Sequence, residues 1–239
     1  MNICIDIGNT NGKIGIFRDA DLLEVIPNLS SGKIVKQLKA RDPENIIVSS
    51  VRKGFGKLYA KLEKIADTIV LSHNTPVPVE ILYKTPETLG LDRMASVVGA
   101  HSIFAGKNCL VIDIGTCITY DLIDSDGRYH GGGISPGVDM RLKAMHKFTS
   151  RLPLIAPKGA PELIGKSTKE CLLSGATNGT IAELEGIIFR YKQFFADLYI
   201  ILCGGGAIFF ESKIKDHIFA FPNLVLVGLN QILRFNLND

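Results

Sequence analysis

Residues 109–124 read CLVIDIGTCITYDLID, and they place a short polar turn between two apolar patterns. A continuous apolar run leads into the turn DIGT at 113–116. Apolar residues then alternate with polar ones through Ile118, Tyr120 and Leu122. The pattern predicts a strand, a tight turn carrying one carboxylate and one hydroxyl, and a second strand that pairs with the first as a hairpin.

The N-terminus contains a second copy of this arrangement. Residues 2–17 read NICIDIGNTNGKIGIF, with DIGNT at the turn, and Asp6 and Asp113 are 107 residues apart in a chain of 239. A single turn of this kind could be no more than an Asp-Gly-type hairpin. Two copies half a chain apart predict a duplicated domain, divided into residues 1–107 and 108–239, with a cleft between the halves.

The rest of the chain alternates strand and helix patterns. Residues 45–51, NIIVSSV, are typical of a strand covered on both faces, and a helix is expected from Leu91 to about Phe104. An α/β class with helices on mixed sheets follows. In the second half we expect these elements: a strand at Arg128–Gly133, helices at about 168–195 and 207–215, a short apolar segment at 224–227, and a final helix at 228–235.

Composition excludes several classes of protein. Apolar residues make up 46% of the chain and charged residues 21%, which allows a buried core. The net charge of +3 comes without a basic block, so nucleic acid is not an expected partner. Five cysteines without a CxxC pair indicate free thiols. Without a signal-peptide pattern or an apolar run of membrane-spanning length, we expect a soluble cytoplasmic protein and no membrane partner.

The sequence resembles two nucleotide-binding motifs but matches neither of them in full. The sequence GKST at 165–168 resembles the end of a P-loop, but Gly159 lies one residue too far upstream and Pro161 intervenes. Gly204 and Gly206 follow a strand as in a dinucleotide-binding motif, yet Phe209 stands where the third glycine belongs. Neither fold is predicted.

The DIG turns suit phosphate chemistry better. Glycine leaves backbone N–H groups approachable, and neighbouring side chains add hydrogen-bond donors at Asn9, Thr10 and Thr116. A carboxylate beside polyphosphate is badly placed unless a cation intervenes, so Asp6 and Asp113 are candidate cation ligands. Lys13 can offset phosphate charge.

Taken together, the paired DxG turns and the later strand–GGG–helix at 200–208 resemble the actin/hexokinase/Hsp70 ATPase superfamily. The resemblance implies a duplicated ribonuclease H-like (actin-like ATPase) fold, with two mixed-sheet halves and an interdomain cleft. Type III pantothenate kinases are more closely similar, over essentially the whole chain. The motifs that carry this resemblance are DIGNTNGK (6–13), LGLDRMASVVGAH (89–101), DIGTCITYD (113–121), GGGISPG (131–137), TSRLP (149–153), GKST (165–168) and CGGGA (203–207).

This resemblance implies ATP-dependent phosphorylation of pantothenate to 4′-phosphopantothenate, the first step of coenzyme A synthesis, by a homodimer. Asp92 would be the general base, Asp6 would hold Mg²⁺ directly or through water, and Asp113 would hold K⁺ or NH₄⁺. ATP would contact Asp6, Ile7, Gly8, Asn9, Thr10, Asn11, Gly12, Lys13 and Thr116. Pantothenate would contact Tyr83, Gly90, Leu91, Asp92 and Arg93, together with Thr168 of the partner subunit.

Each of these residues also has a structural interpretation. Asp92 lies in the first turn of a predicted helix, where a carboxylate is favourable in itself, and Arg93 suits either the pantothenate carboxylate or solvent. Tyr83 could be an ordinary strand aromatic, and Thr168 could cap a helix, with or without a binding role. Cys117 and Ile118 follow the second turn, where smaller residues are common in the family, and this leaves cation affinity open.

Two other functions stay open on the sequence. One is phosphorylation of a different small molecule by a kinase of the same superfamily. The other is a nucleotide-binding regulator without catalysis, which would be expected to have lost Asp6, Lys13 or Asp92. All three residues are present.

Overall fold

A computed structural model describes residues 1–8, 12–50, 56–195 and 197–237. The first part of the chain forms β1 (Asn2–Ile7), β2 (Gly12–Arg18), β3 (Asp21–Leu29), α1 (Ser31–Lys39), β4 (Asn45–Ser50), α2 (Gly56–Leu62), β5 (Asp67–Val70), β6 (Glu80–Ile81) and α3 (Leu91–Ile103). The second part forms β7 (Asn108–Ile114), β8 (Cys117–Ile123), β9 (Arg128–Pro136), α4 (Val138–Lys147), α5 (Thr168–Lys192), β10 (Leu198–Cys203), α6 (Ala207–Glu211), β11 (Ile218–Ala220) and α7 (Leu224–Leu237).

The two sheets repeat one strand order. The first runs β3-β2-β1-β4-β5, with β1–β2 and β2–β3 antiparallel and β1–β4 and β4–β5 parallel. The second runs β11-β10-β7-β8-β9-β6, with β7–β10 and β10–β11 parallel. Each half therefore places its first strand centrally, between its second strand and its fourth. This is the repeated α/β topology expected from two strand–DIG–strand segments.

The described residues group into two compact units. The first contains Met1–Gly106, Ile123–His130 and Asn223–Asp239, and the second contains Lys107–Leu122 and Gly131–Pro222. The C-terminal segment groups with the first unit because α7 packs against α3 and β1. The division after residue 107 into two duplicated copies stays a prediction.

The core of the first unit determines which way Asp6 faces. Ile3, Ile5 and Ile7 of β1 join the buried side chains of α1 and α2 in one apolar cluster. Alternate residues of a strand point to opposite faces, so Asn2 and Asp6 lie on the other face. On that face the side-chain amide of Asn2 donates to Oδ1 of Asn230, in α7, at 3.4 Å. Asp6 is thus on the side of the sheet that α7 covers.

The C-terminal helix corrects one prediction. The apolar segment at 224–227 and the expected helix at 228–235 form a single helix, α7. A Cβ atom on Gly228 would overlap the carbonyl oxygen of Ala95, and one on Gly99 would lie 2.7 Å from the carbonyl oxygen of Leu224. The two glycines let α3 and α7 approach closely, and the short apolar segment is buried at the start of α7.

The strand that contains the triple glycine is also longer than predicted. We predicted that the third strand of the second half ends at Gly133, but β9 continues to Pro136. A Cβ atom on Gly132 would overlap the carbonyl oxygen of Tyr120, in β8. The glycines therefore allow two neighbouring strands to lie close together, and they do not end the strand.

Candidate active site

Asp6 and Lys13 lie opposite each other beside the turn of the first hairpin. They are register partners in the antiparallel pair β1–β2. Burial raises the pKa of the Asp6 carboxyl, Lys13 opposes that rise, and the nearby charge of Asp92 adds to it. Because Asp92 acts on Asp6, the structure brings these two carboxylates and one lysine into a single electrostatic group within the first unit.

Asp92 lies in the first turn of α3, as expected. Its Oδ1 accepts a hydrogen bond from the backbone N–H of Arg93 at 2.9 Å, and Gly90 is the N-cap residue. A Cβ atom on residue 90 would lie 2.6 Å from this same Oδ1, so glycine there gives the Asp92 carboxylate its place. The carboxylate thus lies at the positive end of the helix dipole.

A histidine that the sequence motifs do not indicate contacts the segment just before α3. Nε2 of His73 lies 2.8 Å from the carbonyl oxygen of Leu89, one residue before Gly90. Because His73 lies in a proline-rich connection 16 residues upstream, no local pattern indicates this contact. His73 fixes the entry of the chain into the helix that carries Asp92.

Tyr83 and Arg93 are also neighbours. The guanidinium carbon of Arg93 lies 5.9 Å from the centre of the Tyr83 ring, and that ring stacks on Tyr129 with 6.2 Å between centroids. The Arg93 residue is only 7% exposed, so its interpretation as a solvated surface arginine is wrong. Tyr129, which is fully buried, was not among the predicted site residues. It belongs to β9, and the pairing Ile81–Tyr129 joins that strand to β6.

The structure describes only part of the N-terminal DIG turn. Asn9, Thr10 and Asn11 lie outside the described residues. The Ile7 side chain belongs to the apolar cluster of the first unit, so only its backbone can contact a ligand. Gly12 lies against Ile34 and the carbonyl oxygen of Leu29. This leaves backbone groups as the contacts that residues 7, 8 and 12 can offer.

In the second unit, Asp113 lies beside the glycine loop that follows β10. Asp113 and Cys203 are register partners in the parallel pair β7–β10. A Cβ atom on Gly204 would overlap Oδ1 of Asp113, and the φ angle of Gly204 is +78°. The backbone N–H of Gly206 donates to the carbonyl oxygen of Ile114 at 2.9 Å. The strand end and the glycine loop thus bring backbone close to one carboxylate, and carboxylate oxygens are ligands that hard cations prefer.

Thr116 is exposed, and its turn is supported by Gly137, the residue that follows β9. The N–H of Gly137 donates to the carbonyl oxygen of Thr116 at 3.1 Å. A Cβ atom on Gly137 would overlap the carbonyl oxygen of Gly115 and would lie 2.8 Å from that of Thr116. Gly137 is also the N-cap of α4, so the N-terminus of this helix lies at the turn, where backbone dipoles favour anions. The sequence motif GGGISPG contains this residue, but its contact is not visible in the pattern.

A pocket of about 240 Å³ lies beside the same glycine loop. Gly206 and Val138 border it, Phe209 and Phe210 provide aromatic surface, and Lys158 adds a cation. Phe209 is the residue that breaks the dinucleotide-binding pattern in the sequence. Apolar and aromatic walls with one cation suit a flat heteroaromatic ring that carries anionic groups.

Thr168 begins α5, and its side chain is exposed. The cap of this helix is Ser167, whose Oγ accepts from the N–H of Glu170 at 3.3 Å. Glu170 in turn accepts from the N–H of Lys166, the residue before the cap, at 2.7 Å, so the two side chains satisfy two backbone N–H groups at the start of α5. The capping role considered for Thr168 therefore belongs to Ser167.

Within the described residues, no three His, Cys, Asp or Glu side chains cluster closely enough to hold a metal by themselves. A single carboxylate at Asp6 fits Mg²⁺, which proteins commonly hold through one or two carboxylates together with substrate phosphates. None of the helices in the described part of the chain is long and apolar enough to cross a membrane.

Solved structures define the class of fold. A conserved putative Baf family transcriptional activator from Campylobacter jejuni aligns with a TM-score of 0.67 and 21% identity, covering 99% of this chain and 100% of the other. A putative 2-dehydro-3-deoxygalactonokinase from Sinorhizobium meliloti aligns with a TM-score of 0.61 and 14% identity, covering 99% of each chain. At these identities the likeness concerns fold, and with the repeated strand order it defines a duplicated, actin-like α/β fold.

Sequence comparison identifies the family. The family model for type III pantothenate kinase matches residues 2–190. A type III pantothenate kinase of Bacteroides fragilis is 45% identical over 239 residues, covering 99% of this chain and 98% of the relative. One from Cytophaga hutchinsonii is 40% identical over 236 residues, covering 99% and 100%. The chain belongs to the type III pantothenate kinase family.

Proposed function

We propose that this protein transfers the γ-phosphoryl group of ATP to the hydroxyl of pantothenate, the first step of coenzyme A synthesis, with Asp92 as general base. The proposal depends on one observation above the others. Asp92 lies at the N-terminus of α3 and close enough to Asp6 to raise its pKa, while Lys13 is the strand partner of Asp6. A base and groups that handle phosphate therefore occur together in the first unit.

Asp92 supplies the acid–base chemistry. The substrate hydroxyl loses its proton to the Asp92 carboxylate as the new O–P bond forms, and the bond from the γ-phosphorus to the ADP oxygen breaks. The Asp92 carboxylate lies at the positive end of the helix dipole and accepts a hydrogen bond from the Arg93 N–H. Tyr83, Gly90, Leu91 and Arg93 form the pantothenate contacts around this base.

Phosphate binding in the first unit falls to the Asp6–Lys13 segment. Bound Mg²⁺ neutralises phosphate charge. Asp6 holds this ion directly or through water, and Lys13 offsets charge on the β- or γ-phosphate. Backbone groups of Ile7, Gly8 and Gly12 complete the turn, together with Asn9, Thr10 and Asn11.

The second unit contributes the remaining ATP contacts. Asp113 holds K⁺ or NH₄⁺, a role supported by the close approach of the Gly204 backbone to its Oδ1. Thr116 contacts phosphate. The adenine ring occupies the pocket beside Gly206, where Phe209 and Phe210 offer aromatic surface.

The protein acts as a homodimer in the cytoplasm, and Thr168 of the partner subunit reaches pantothenate. Large apolar side chains are exposed at the end of α4 and in the loop that leads to α5, where a second copy can cover them. They are Phe148, Leu154, Leu163 and Ile164, with exposed fractions of 80%, 57%, 76% and 78%. Apolar surface of this kind next to Thr168 supports contact with another chain.

A direct assay tests the proposal. Purified protein is mixed with MgATP and pantothenate in KCl, NH₄Cl or NaCl, and 4′-phosphopantothenate is measured by mass spectrometry. We expect product in K⁺ or NH₄⁺ and little in Na⁺. Phosphorylation of a different small alcohol in a parallel acceptor panel would favour another kinase of this fold. Nucleotide binding without transfer to any acceptor would favour a regulator. Light scattering measures the dimer, and a monomer would exclude a contribution from the partner's Thr168.

A further inference from the structure

A polar cluster in the second unit has no role in the assignments above. It joins four elements: Tyr120 on β8, Ser135 on β9, Arg141 on α4 and Glu183 on α5. The guanidinium of Arg141 forms an ion pair with Glu183 and donates to Oγ of Ser135 at 3.0 Å. The Tyr120 hydroxyl donates to the second oxygen of Glu183 at 2.7 Å. Glu183 is therefore held from two sides.

Arg141 connects this cluster to the end of β9. Its Nε donates to the carbonyl oxygen of Pro136 at 2.8 Å. The next residue, Gly137, donates its N–H to the carbonyl oxygen of Thr116 and has no room for a side chain against the turn. A short path of hydrogen bonds thus leads from the guanidinium of Arg141, through Pro136 and Gly137, to the turn at 113–116.

The electrostatics favour one direction for the hydrogen bonds to Glu183. Burial raises the pKa of Glu183, but hydrogen bonds from Arg141, Ser135 and Tyr120 outweigh it, and the pKa is lowered. Burial and the bond to Glu183 raise the pKa of Tyr120. At neutral pH Glu183 is thus a charged acceptor and Tyr120 a neutral donor, so the fork of Arg141 keeps one orientation.

We propose that Arg141 is a positioning residue for the turn Asp113–Thr116, and that Glu183 and Tyr120 hold it in place. Arg141 does not contact the reacting atoms in this account. It sets the end of β9 and Gly137, which support the turn that binds cation and phosphate. The inference rests on the proposed function, because that function assigns Asp113 and Thr116 to the cation and to ATP.

A test should replace the planar guanidinium of Arg141, whose N–H donors have a fixed geometry. A lysine in its place retains the charge but cannot donate to Glu183, Ser135 and the Pro136 carbonyl in the same geometry. Lys143 offers a matched control, since it lies on the same helix and forms an exposed ion pair with Asp139, one turn away. Arg141→Ala, Arg141→Lys and Lys143→Ala therefore separate positioning from simple charge.

The experiment measures binding and turnover separately. Affinity for ADP with Mg²⁺ is measured by calorimetry at several K⁺ concentrations, alongside kcat, both KM values and Tm. We expect Arg141→Ala to weaken ADP binding and raise the K⁺ requirement at least 10-fold, with the KM for pantothenate within twofold of the original. Arg141→Lys should be intermediate in affinity with a nearly unchanged Tm, and Lys143→Ala should match the wild type in every measurement.

Other results overturn the proposal. If Arg141→Ala lowers Tm while ADP affinity and K⁺ dependence stay within twofold, the cluster only joins helices. If Arg141→Ala does not fold, Arg141→Lys decides by the same affinity criterion. Wild-type protein that binds ADP in a K⁺-dependent way but makes no phosphopantothenate would reject the proposed function instead. The comparison of ADP affinities would still test the role of Arg141.

Discussion

Gly204 lies directly against Oδ1 of Asp113, so closely that a Cβ atom would overlap this oxygen. The backbone of Gly204 also has a φ angle of +78°, a conformation that other residues adopt at a cost. The carboxylate at the end of β7 therefore keeps its place only because the residue after β10 has no side chain.

Replacement of Gly204 by alanine should displace the Asp113 carboxylate. We expect the K⁺ concentration for half-maximal activity and the KM for ATP each to rise at least 10-fold. Gly205→Ala is the matched control, because a Cβ atom there would meet no other atom within 4 Å in the described part of the chain. Steady-state kinetics on both variants measure the difference. Equal kinetics in both would show that Asp113 does not serve the cation.

The contact between α3 and α7 predicts a large effect on stability. Gly228→Ala inserts a methyl group into the carbonyl of Ala95, and we expect a loss of about 1–3 kcal/mol or more in the free energy of unfolding. Gly186→Ala, in the middle of α5, has open space around it among the described residues and should gain about 0.5–1 kcal/mol. Urea denaturation of both variants checks the signs. A stable Gly228→Ala protein would mean that the helices are less closely packed than described.

The hairpin at 124–130 predicts stability that depends on pH. Burial alone would raise the pKa of Asp124, but hydrogen bonds from His130 and Arg128 lower it to about 2, against an ordinary value of 3.8. A lowered pKa stabilises the folded protein above the unfolded-state value, and that contribution is lost as the pH falls from about 4 to 2.

Asp124→Asn should therefore cost on the order of 2 kcal/mol at pH 7, with the cost shrinking toward pH 3. The control is Asp126→Asn, since that carboxylate pairs with the same arginine but is 68% exposed. Chemical denaturation at a series of pH values measures both. A cost that does not change with pH would contradict the ionic contribution.

For Asp6, ionisation should have the opposite effect on the stability of the folded protein. Burial and the charge of Asp92 raise its pKa in the folded protein, so ionisation of Asp6 destabilises the ligand-free protein as the pH rises above 3.8. We expect Asp6→Asn to raise Tm at pH 8 and to raise it less as the pH approaches 4, while catalysis is lost. Asp67→Asn, at an exposed position of β5 in the same sheet, is the control for loss of charge. A lower Tm for Asp6→Asn at pH 8 would contradict this account of Asp6.

The sequence predicts what depends on neighbours along the chain. Alternating and continuous apolar runs place β1, β2, β7 and β8 close to their observed bounds, and the start of α3 at Leu91 follows from helical spacing. The proline before that helix and the charged residues in its first turn mark its beginning. The position of Asp92 near the helix N-terminus was therefore predictable.

Contacts between distant parts of the chain were not predictable. The run at 224–227 is equally apolar in a strand or in a helix, and only the contact of Gly228 with α3, more than 120 residues earlier, decides between them. Tyr129 under Tyr83, Gly137 on Thr116 and the pair Arg141–Glu183 likewise depend on partners that no periodicity specifies. In each case the residue type was visible, but its partner was not.

The most direct test of the central claim is single-turnover formation of 4′-phosphopantothenate by the wild type, Asp92→Asn and Glu87→Gln. Glu87 is an exposed carboxylate in the 3₁₀ turn just before α3, so it controls for loss of a nearby negative charge. Asparagine fills the same space as Asp92 but cannot accept the hydroxyl proton. We predict a loss of about 10²–10⁴-fold in rate for Asp92→Asn, with ATP binding retained, and wild-type rates for Glu87→Gln. An Asp92→Asn enzyme that transfers phosphate at the wild-type rate would contradict the account.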